Sequence, residues 1–215
     1  MTAWWYGLSK FLCWLVLRLG FGLEVRGQEH VPAQGACIVA SNHVSFLDPV
    51  VVGVACPRRL TFMARNTLFT HALLGAWLRG VGAIPLRRDE SDASAIRRTL
   101  QRLREGQPIA LFPEGGRQFS GALGRAKRGV GLLAISAGAS IVPVYLQGTF
   151  QALPPGARRF RRAKIRVAFG PVIAYTKASV PSAAEPAKAH QEQLAQAVTD
   201  HWHRLENMLN AEPRT

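Results

Sequence analysis

Cysteine is scarce in this sequence. Cys13, Cys37 and Cys56 are three among 215 residues, too few for a disulfide framework and without metal-ligand spacing. They read as packing residues of a protein from a reducing compartment. Acidic residues are also few: 13 Asp and Glu stand against 27 Lys and Arg, a formal charge of +14. That balance favours an anionic partner: nucleic acid, an acidic membrane surface or a phosphorylated ligand. A long hydrophobic run is missing too. Residues 1–23 are rich in Trp, Leu and Phe, yet Lys10 and Arg18 leave only residues 11–17 uncharged between them, far short of the ~20 a spanning helix needs. No small-residue cleavage site of the signal-peptide kind follows. No Gly-x-Ser-x-Gly elbow is present, which excludes the usual serine hydrolase, and no Gly-Lys-Ser/Thr follows a glycine loop, which excludes a Walker-type phosphate site. His201 and His203 sit two apart on one predicted helix, on different faces, so no metal site is implied.

What is present is a foldable domain. Apolar residues make up 48% of the chain and charged ones 19%, and a chain of this length buries a core without disulfides or metal. Segment 1–23 is expected to be a helix lying in a membrane interface, with Trp4, Trp5, Tyr6 and Trp14 at headgroup level and Lys10 and Arg18 reaching lipid phosphates; the alternative is a helix packed on the domain. Short apolar runs at 23–26, 37–40, 60–63, 108–112, 141–146 and 164–169 predict strands, and 83–86 is a further short apolar run. Helices are predicted at 50–55, started by an Asp48 cap and Pro49, and at 68–78, stopped by Gly80. Further helices follow at 91–105, with Ile96, Leu100 and Leu103 on its apolar side, at 130–137 and at 185–209. Strands alternating with helices argue a single α/β domain over 24–215, with a central mixed, largely parallel sheet flanked by helices. The loop 154–162 carries four arginines but one aromatic, Phe160. Single-stranded nucleic acid needs several stacking rings, so this loop reads as solvated or membrane-facing.

Two polar blocks interrupt the apolar pattern. Ser41-Asn42-His43-Val44-Ser45-Phe46-Leu47-Asp48 follows a predicted strand. On a regular helix His43 and Asp48 would point about 140° apart, so they meet only if His43 precedes the helix. A strand-to-helix turn would then bring the carboxylate to one imidazole nitrogen and free the other to take a proton. Without a serine nucleophile, the pair suggests direct deprotonation of a substrate hydroxyl. In Phe112-Pro113-Glu114-Gly115-Gly116-Arg117, the two glycines let backbone donors approach a ligand, Arg117 offers a planar fork for phosphate, and Glu114 can orient the arginine or a hydroxyl.

Together these blocks resemble the glycerolipid acyltransferase family, whose first signature is His, four residues, Asp. The second family block resembles Gly82-Ala83-Ile84-Pro85-Leu86-Arg87-Arg88. The third is Phe112 to Arg117 extended by Lys127 and Gly129, and the fourth resembles Ile141-Val142-Pro143-Val144-Tyr145. The resemblance spans roughly residues 24 to 148 in the family's order of blocks. One position departs from it: Gly116 stands where the family usually has threonine.

The resemblance implies a glycerol-3-phosphate acyltransferase-like fold and transfer of a fatty acyl group from a thioester, acyl-CoA or acyl carrier protein, to lysophosphatidic acid, with no bound cofactor. His43 and Asp48 would be the catalytic pair. Arg88, Glu114, Gly115, Gly116, Arg117 and Lys127 would line the acceptor site. Segment 1–23 would associate with anionic lipid at the cytoplasmic face of the inner membrane. Another lysolipid acceptor, such as lyso-ornithine lipid, is the alternative reading, and a basic nucleic-acid-binding protein the remote one.

Overall fold

A computed structural model describes residues 3–86, 93–174 and 187–212. Its centre is a seven-stranded sheet in the order β1-β7-β6-β2-β5-β3-β4. The strands are β1 (Glu24–Arg26), β2 (Cys37–Ser41), β3 (Thr61–Arg65), β4 (Ile84–Leu86), β5 (Ile109–Leu111), β6 (Ser140–Gln147) and β7 (Arg166–Phe169). The five strands from β6 to β4 run parallel, while β7 lies antiparallel to β6 and carries β1 parallel beside it. The α/β reading with a mixed, largely parallel sheet therefore holds.

Every residue of β2 is buried, as expected of a strand covered on both faces. The pleat sorts its side chains. Cys37 and Val39 join a core with Leu17 of α1 (Ala3–Phe21) and with Val51 and Val52 of α2 (Asp48–Ala55). Ile38 and Ala40 join a second core on the opposite face. There they meet Leu103 of α4 (Ala93–Arg104, after α3, Ala72–Val81) and Val130 of α5 (Gly129–Ala137). The long closing helix α7 (Ala187–Ala211, after the short α6, Thr149–Ala152) adds Leu194, Val198 and Trp202. The fully buried Trp202 donates its indole N–H to the Ala40 carbonyl at 3.0 Å, satisfying a buried acceptor three residues before His43.

Several expectations need correction. The predicted helix 68–78 is two elements, a 3-10 turn at Asn66–Thr70 and then α3. Gly80 does not end α3: it lies inside, where a Cβ would come within 2.6 Å of the Trp5 indole nitrogen, so it serves close helix packing. The stop is Gly82, in the left-handed region at φ 80. In α4 the inward stripe is Ala95, Thr99 and Leu103, while Ile96 is exposed. The small residues let α4 sit close, and Thr99 Oγ1 donates to Met63 Sδ at 3.3 Å. α6, just after β6, has no counterpart among the predicted helices.

α1 is packed and exposed at once. Its inner side ties to the domain: the Tyr6 hydroxyl accepts the Leu60 N–H, Lys10 Nζ donates to the Cys56 carbonyl, and Arg18 donates to the Leu23 carbonyl. The predicted reach of Lys10 and Arg18 to lipid phosphates is thus replaced by caps on carbonyls that follow α2 and α1, acceptors with no helical partner. The outer side leaves Trp4, Phe11, Leu12, Val16 and Leu19 exposed. Among the described residues no helix is long and apolar enough to cross a membrane.

Candidate active site

α2, which follows β2, packs on one face of the sheet, and α5, which follows β5, packs on the other. The two strands are neighbours, so the chain leaves their carboxyl ends in opposite directions and opens a crevice between them. That is where α/β sheets bind ligands. Both polar blocks lie at this crevice, since His43 follows β2 and Glu114 follows β5.

His43 precedes α2, as the spacing argument requires, and its Nδ1 lies 2.8 Å from Asp48 Oδ2. The same carboxylate oxygen accepts the backbone N–H groups of Val44 and Ser45, both at 2.7 Å. Asp48 was expected to cap α2. It instead reaches backward, makes no cap bond to its own helix, and folds the turn that holds His43. Its side chain is fully buried, whereas the imidazole is partly exposed. With Nδ1 occupied by the carboxylate, Nε2 is the nitrogen left for a substrate proton. The imidazole also stacks on Phe112, with ring centroids 4.2 Å apart and planes at 26°.

The second turn grips the first. The Glu114 carboxylate accepts the backbone N–H of His43 at 3.0 Å through one oxygen and that of Gly124 at 3.1 Å through the other. Gln118 N–H then donates to the His43 carbonyl at 2.8 Å. Both backbone polar groups of His43 are therefore fixed, the N–H by Glu114 and the carbonyl by Gln118, just past Arg117. Burial pushes the Glu114 carboxyl up to about 7, against the pull of these hydrogen bonds and with a smaller upward push from the Asp48 charge.

Arg117 lies across Phe46, its guanidinium carbon 3.5 Å from the ring centre, which orients the planar fork. Lys127 is drawn in by its N–H to the Pro113 carbonyl at 2.8 Å. Its amine covers Gly115, where a Cβ would come within 2.8 Å of Nζ and φ is 78. A Cβ at Gly116 would meet nothing within 4 Å. Thus His43, Asp48, Glu114, Gly115, Gly116, Arg117 and Lys127 gather at one crevice. Arg88 lies outside the described residues, just past the end of β4.

Sequence reasoning missed four supporting residues. Phe112 and Phe46 place the imidazole and guanidinium. Asn42 copies a strand pair through its side chain, accepting the Leu146 N–H and donating to the Leu146 carbonyl. Ser45 Oγ donates to the Leu153 carbonyl at 2.7 Å. Their positions inside the two blocks were the available signal, but the partners of Asn42 and Ser45 lie on β6 and beyond it.

The crevice can hold a hydroxyl near a carboxylate-bound imidazole and an anionic group near Arg117 and Lys127. The Acyltransferase family model matches residues 22–147. A 1-acyl-sn-glycerol-3-phosphate acyltransferase of Bacillus subtilis (strain 168) is 27% identical over 198 residues, 91% of this chain and 94% of that protein. One from Streptococcus pneumoniae is 34% identical over 145 residues; the match covers 66% of this chain and about half of that one, 52%. The crystal structure of the 1-acyl-sn-glycerophosphate (LPA) acyltransferase PlsC from Thermotoga maritima shares the fold, with a TM-score of 0.78 and 19% identity over 98% of this chain and 81% of that one. With more than half of its length matched by the family model and the motif residues assembled at one crevice, the chain belongs to the Acyltransferase family.

Proposed function

We propose that this acyltransferase moves a fatty acyl group from a thioester, acyl-CoA or an acyl carrier protein, to the free hydroxyl of lysophosphatidic acid, forming phosphatidic acid. The observation that carries the reading is the His43–Asp48 pair, its turn held by Glu114 beside Arg117. The acceptor named for its relatives supports it.

Nε2 of His43 removes the hydroxyl proton while the oxygen attacks the thioester carbonyl. Asp48, bonded to Nδ1, keeps the proton on that nitrogen and stabilises the imidazolium. The tetrahedral oxyanion collapses, the carbon–sulfur bond breaks, and the thiolate takes the proton back from His43. Ester and free thiol leave with atoms and charge balanced. Arg117 and Lys127, joined by Arg88 from the second sequence block, hold the acceptor phosphate. A dianion held by a guanidinium fork fixes the hydroxyl over the base, which is where positioning contributes most. Glu114 acts through the His43 backbone, and Gly115 and Gly116 leave room for the phosphate. Segment 1–23 lies on the membrane with its outer apolar side, beside the exposed arginines of loop 154–162, at the cytoplasmic face of the inner membrane; residues 24–215 form the catalytic domain.

The experiment is thiol release from acyl-CoA by detergent-solubilised protein, with and without lysophosphatidic acid, beside His43→Ala. Release that needs the acceptor and vanishes in the variant is expected. Equal release by the variant would remove His43 from the chemistry. Release with a different lysolipid alone would change the acceptor and keep the reaction.

A further inference from the structure

A cavity of about 670 Å³ lies at the opposite pole of the sheet from His43. Its walls are the amino ends of β3 and β5, the end of α3 with the turn into β4, and Arg98 and Arg102 of α4, whereas His43 and Glu114 follow the carboxyl ends of β2 and β5. Arg59, Arg79, Arg98 and Arg102 line it, with Thr61 and Gln107 as neutral hydrogen-bonding groups. Among the described residues lining it there is no Asp or Glu.

Four guanidiniums around one cavity repel each other unless an anion joins them. Two of them are anchored. Arg59 lies 5.0 Å from the centre of the Tyr6 ring, and Arg79 donates to the Phe69 carbonyl at 3.2 Å. The two on α4 are one turn apart. Arg98 donates to Ser94 Oγ, while Arg102 reaches Gln107 and stands 3.6 Å from exposed Glu105, a pairing too loose and too exposed to neutralise the cluster. The volume lies within the usual range for small-ligand sites. A guanidinium fork suits phosphate oxygens two at a time.

We infer that this cavity is a second anion site, separate from the catalytic crevice, that binds a phosphate-bearing ligand of at least two negative charges. The site also borders the amino end of α1. Tyr6 sits under Arg59, and the Trp5 indole packs on Gly80, next to the lining residue Val81. The phosphate can thus come from an anionic lipid headgroup beside α1 or from a soluble phosphorylated molecule. Nothing in the acyl-transfer reading calls on these arginines, so the site stands or falls independently of it.

The test uses the full chain and two probes. Inorganic pyrophosphate, titrated at constant ionic strength, should raise the melting temperature of the wild type and of Arg117→Ala. The Arg98→Ala/Arg102→Ala pair should bind it at least about tenfold more weakly. Both residues are exposed on α4, so the pair should fold. Arg98→Lys/Arg102→Lys, which keeps the charge but loses the forks, should fall between the two and serves if the alanine pair does not fold. In the second arm, vesicles of phosphatidylcholine with and without phosphatidic acid are sedimented with each protein. Loss of the binding added by phosphatidic acid in the cavity variant assigns the site to a headgroup. Loss of the pyrophosphate response with vesicle binding intact assigns it to a soluble phosphate. A response to both probes that is unchanged in the cavity variants, or lost only in Arg117→Ala, overturns the site.

Discussion

The guanidinium carbon of Arg117 stands 3.5 Å from the centre of the Phe46 ring, so the residue proposed to hold the acceptor phosphate rests on a side chain from inside the His43–Asp48 block. One aromatic ring thereby links the base-bearing turn to the phosphate-bearing turn. Phe46 is itself half exposed, at 54%, so removing it leaves no core cavity. Phe46→Ala should raise KM for lysophosphatidic acid about 2–30-fold, the worth of a cation–π contact of ~0.5–2 kcal/mol. The effect on kcat should be smaller, and Phe46→Tyr should restore the wild-type KM. Steady-state kinetics on the three proteins checks this. An unchanged KM in Phe46→Ala would mean the ring does not position the arginine.

Asp48 has two duties that substitutions can separate. Its Oδ2 accepts the His43 ring nitrogen and two backbone N–H groups. Asp48→Ala should therefore cost both activity and stability, about 1–3 kcal/mol for donors left buried without an acceptor. His43→Ala should lower activity about 10²–10⁴-fold, the worth of general-base help, while leaving the melting temperature near wild type. Thermal unfolding measured beside activity distinguishes the two. A His43→Ala protein as unstable as Asp48→Ala would show that the imidazole, not the carboxylate, holds the turn.

Glu114 gives the site a pH-dependent stability. Burial raises its carboxyl from 4.5 to about 7 in the folded chain. Below about pH 4.5 it is protonated whether folded or unfolded and makes no difference. As pH rises toward 7 the unfolded chain gives up the proton first, so folding loses stability across that window, by at most about 3 kcal/mol. Glu114→Gln removes this titration. The stability difference between wild type and variant, measured by urea unfolding, should therefore shift against the wild type between pH 4.5 and 7 and level off above. A difference that is flat with pH would mean the carboxyl titrates normally.

The same residues show how far the sequence carries. Each strand among the described residues falls on a short apolar run bounded by turn residues, whether it is fully buried like β2 or half-exposed at the sheet edge like β1. The five-residue spacing of His43 and Asp48 required a turn before α2, and the structure has it. Helix limits were less legible where glycine has two uses. Gly80 reads as a stop, yet it is there to let Trp5 approach, a contact between α1 and α3 that no local pattern encodes. Likewise Ile96 outranks Ala95 in hydrophobicity but not in fit: α4 turns its small residues inward because it packs closely on the sheet. The hold of Glu114 on the His43 backbone spans 71 positions. Such a contact follows from β2 and β5 being neighbours, which spacing alone does not reveal.

The adjacent glycines of the third block should behave in opposite ways. Gly115 has φ 78, and a Cβ there would come within 2.8 Å of the Lys127 amine. Gly115→Ala should therefore cost about 1–2 kcal/mol of backbone strain and push Lys127 off the turn, raising KM for the acceptor. Gly116 has open space around its Cα, and it is not among the glycines with positive φ. The Cβ of threonine, the residue the family usually carries at this position, meets no neighbour there. Gly116→Thr should leave the melting temperature within a degree or two, a surface change worth about 0.5 kcal/mol or less. The added hydroxyl lies between Gly115 and Arg117, where it can donate to a phosphate oxygen, so KM for lysophosphatidic acid should fall about 2–10-fold, the net worth of one ordinary hydrogen bond of ~0.5–1.5 kcal/mol. Kinetics with lysophosphatidic acid and with a lysolipid lacking the phosphate monoester decides the matter. A fall confined to lysophosphatidic acid places the phosphate at this turn, whereas an equal fall for both acceptors puts the hydroxyl against the glycerol backbone and moves the phosphate elsewhere.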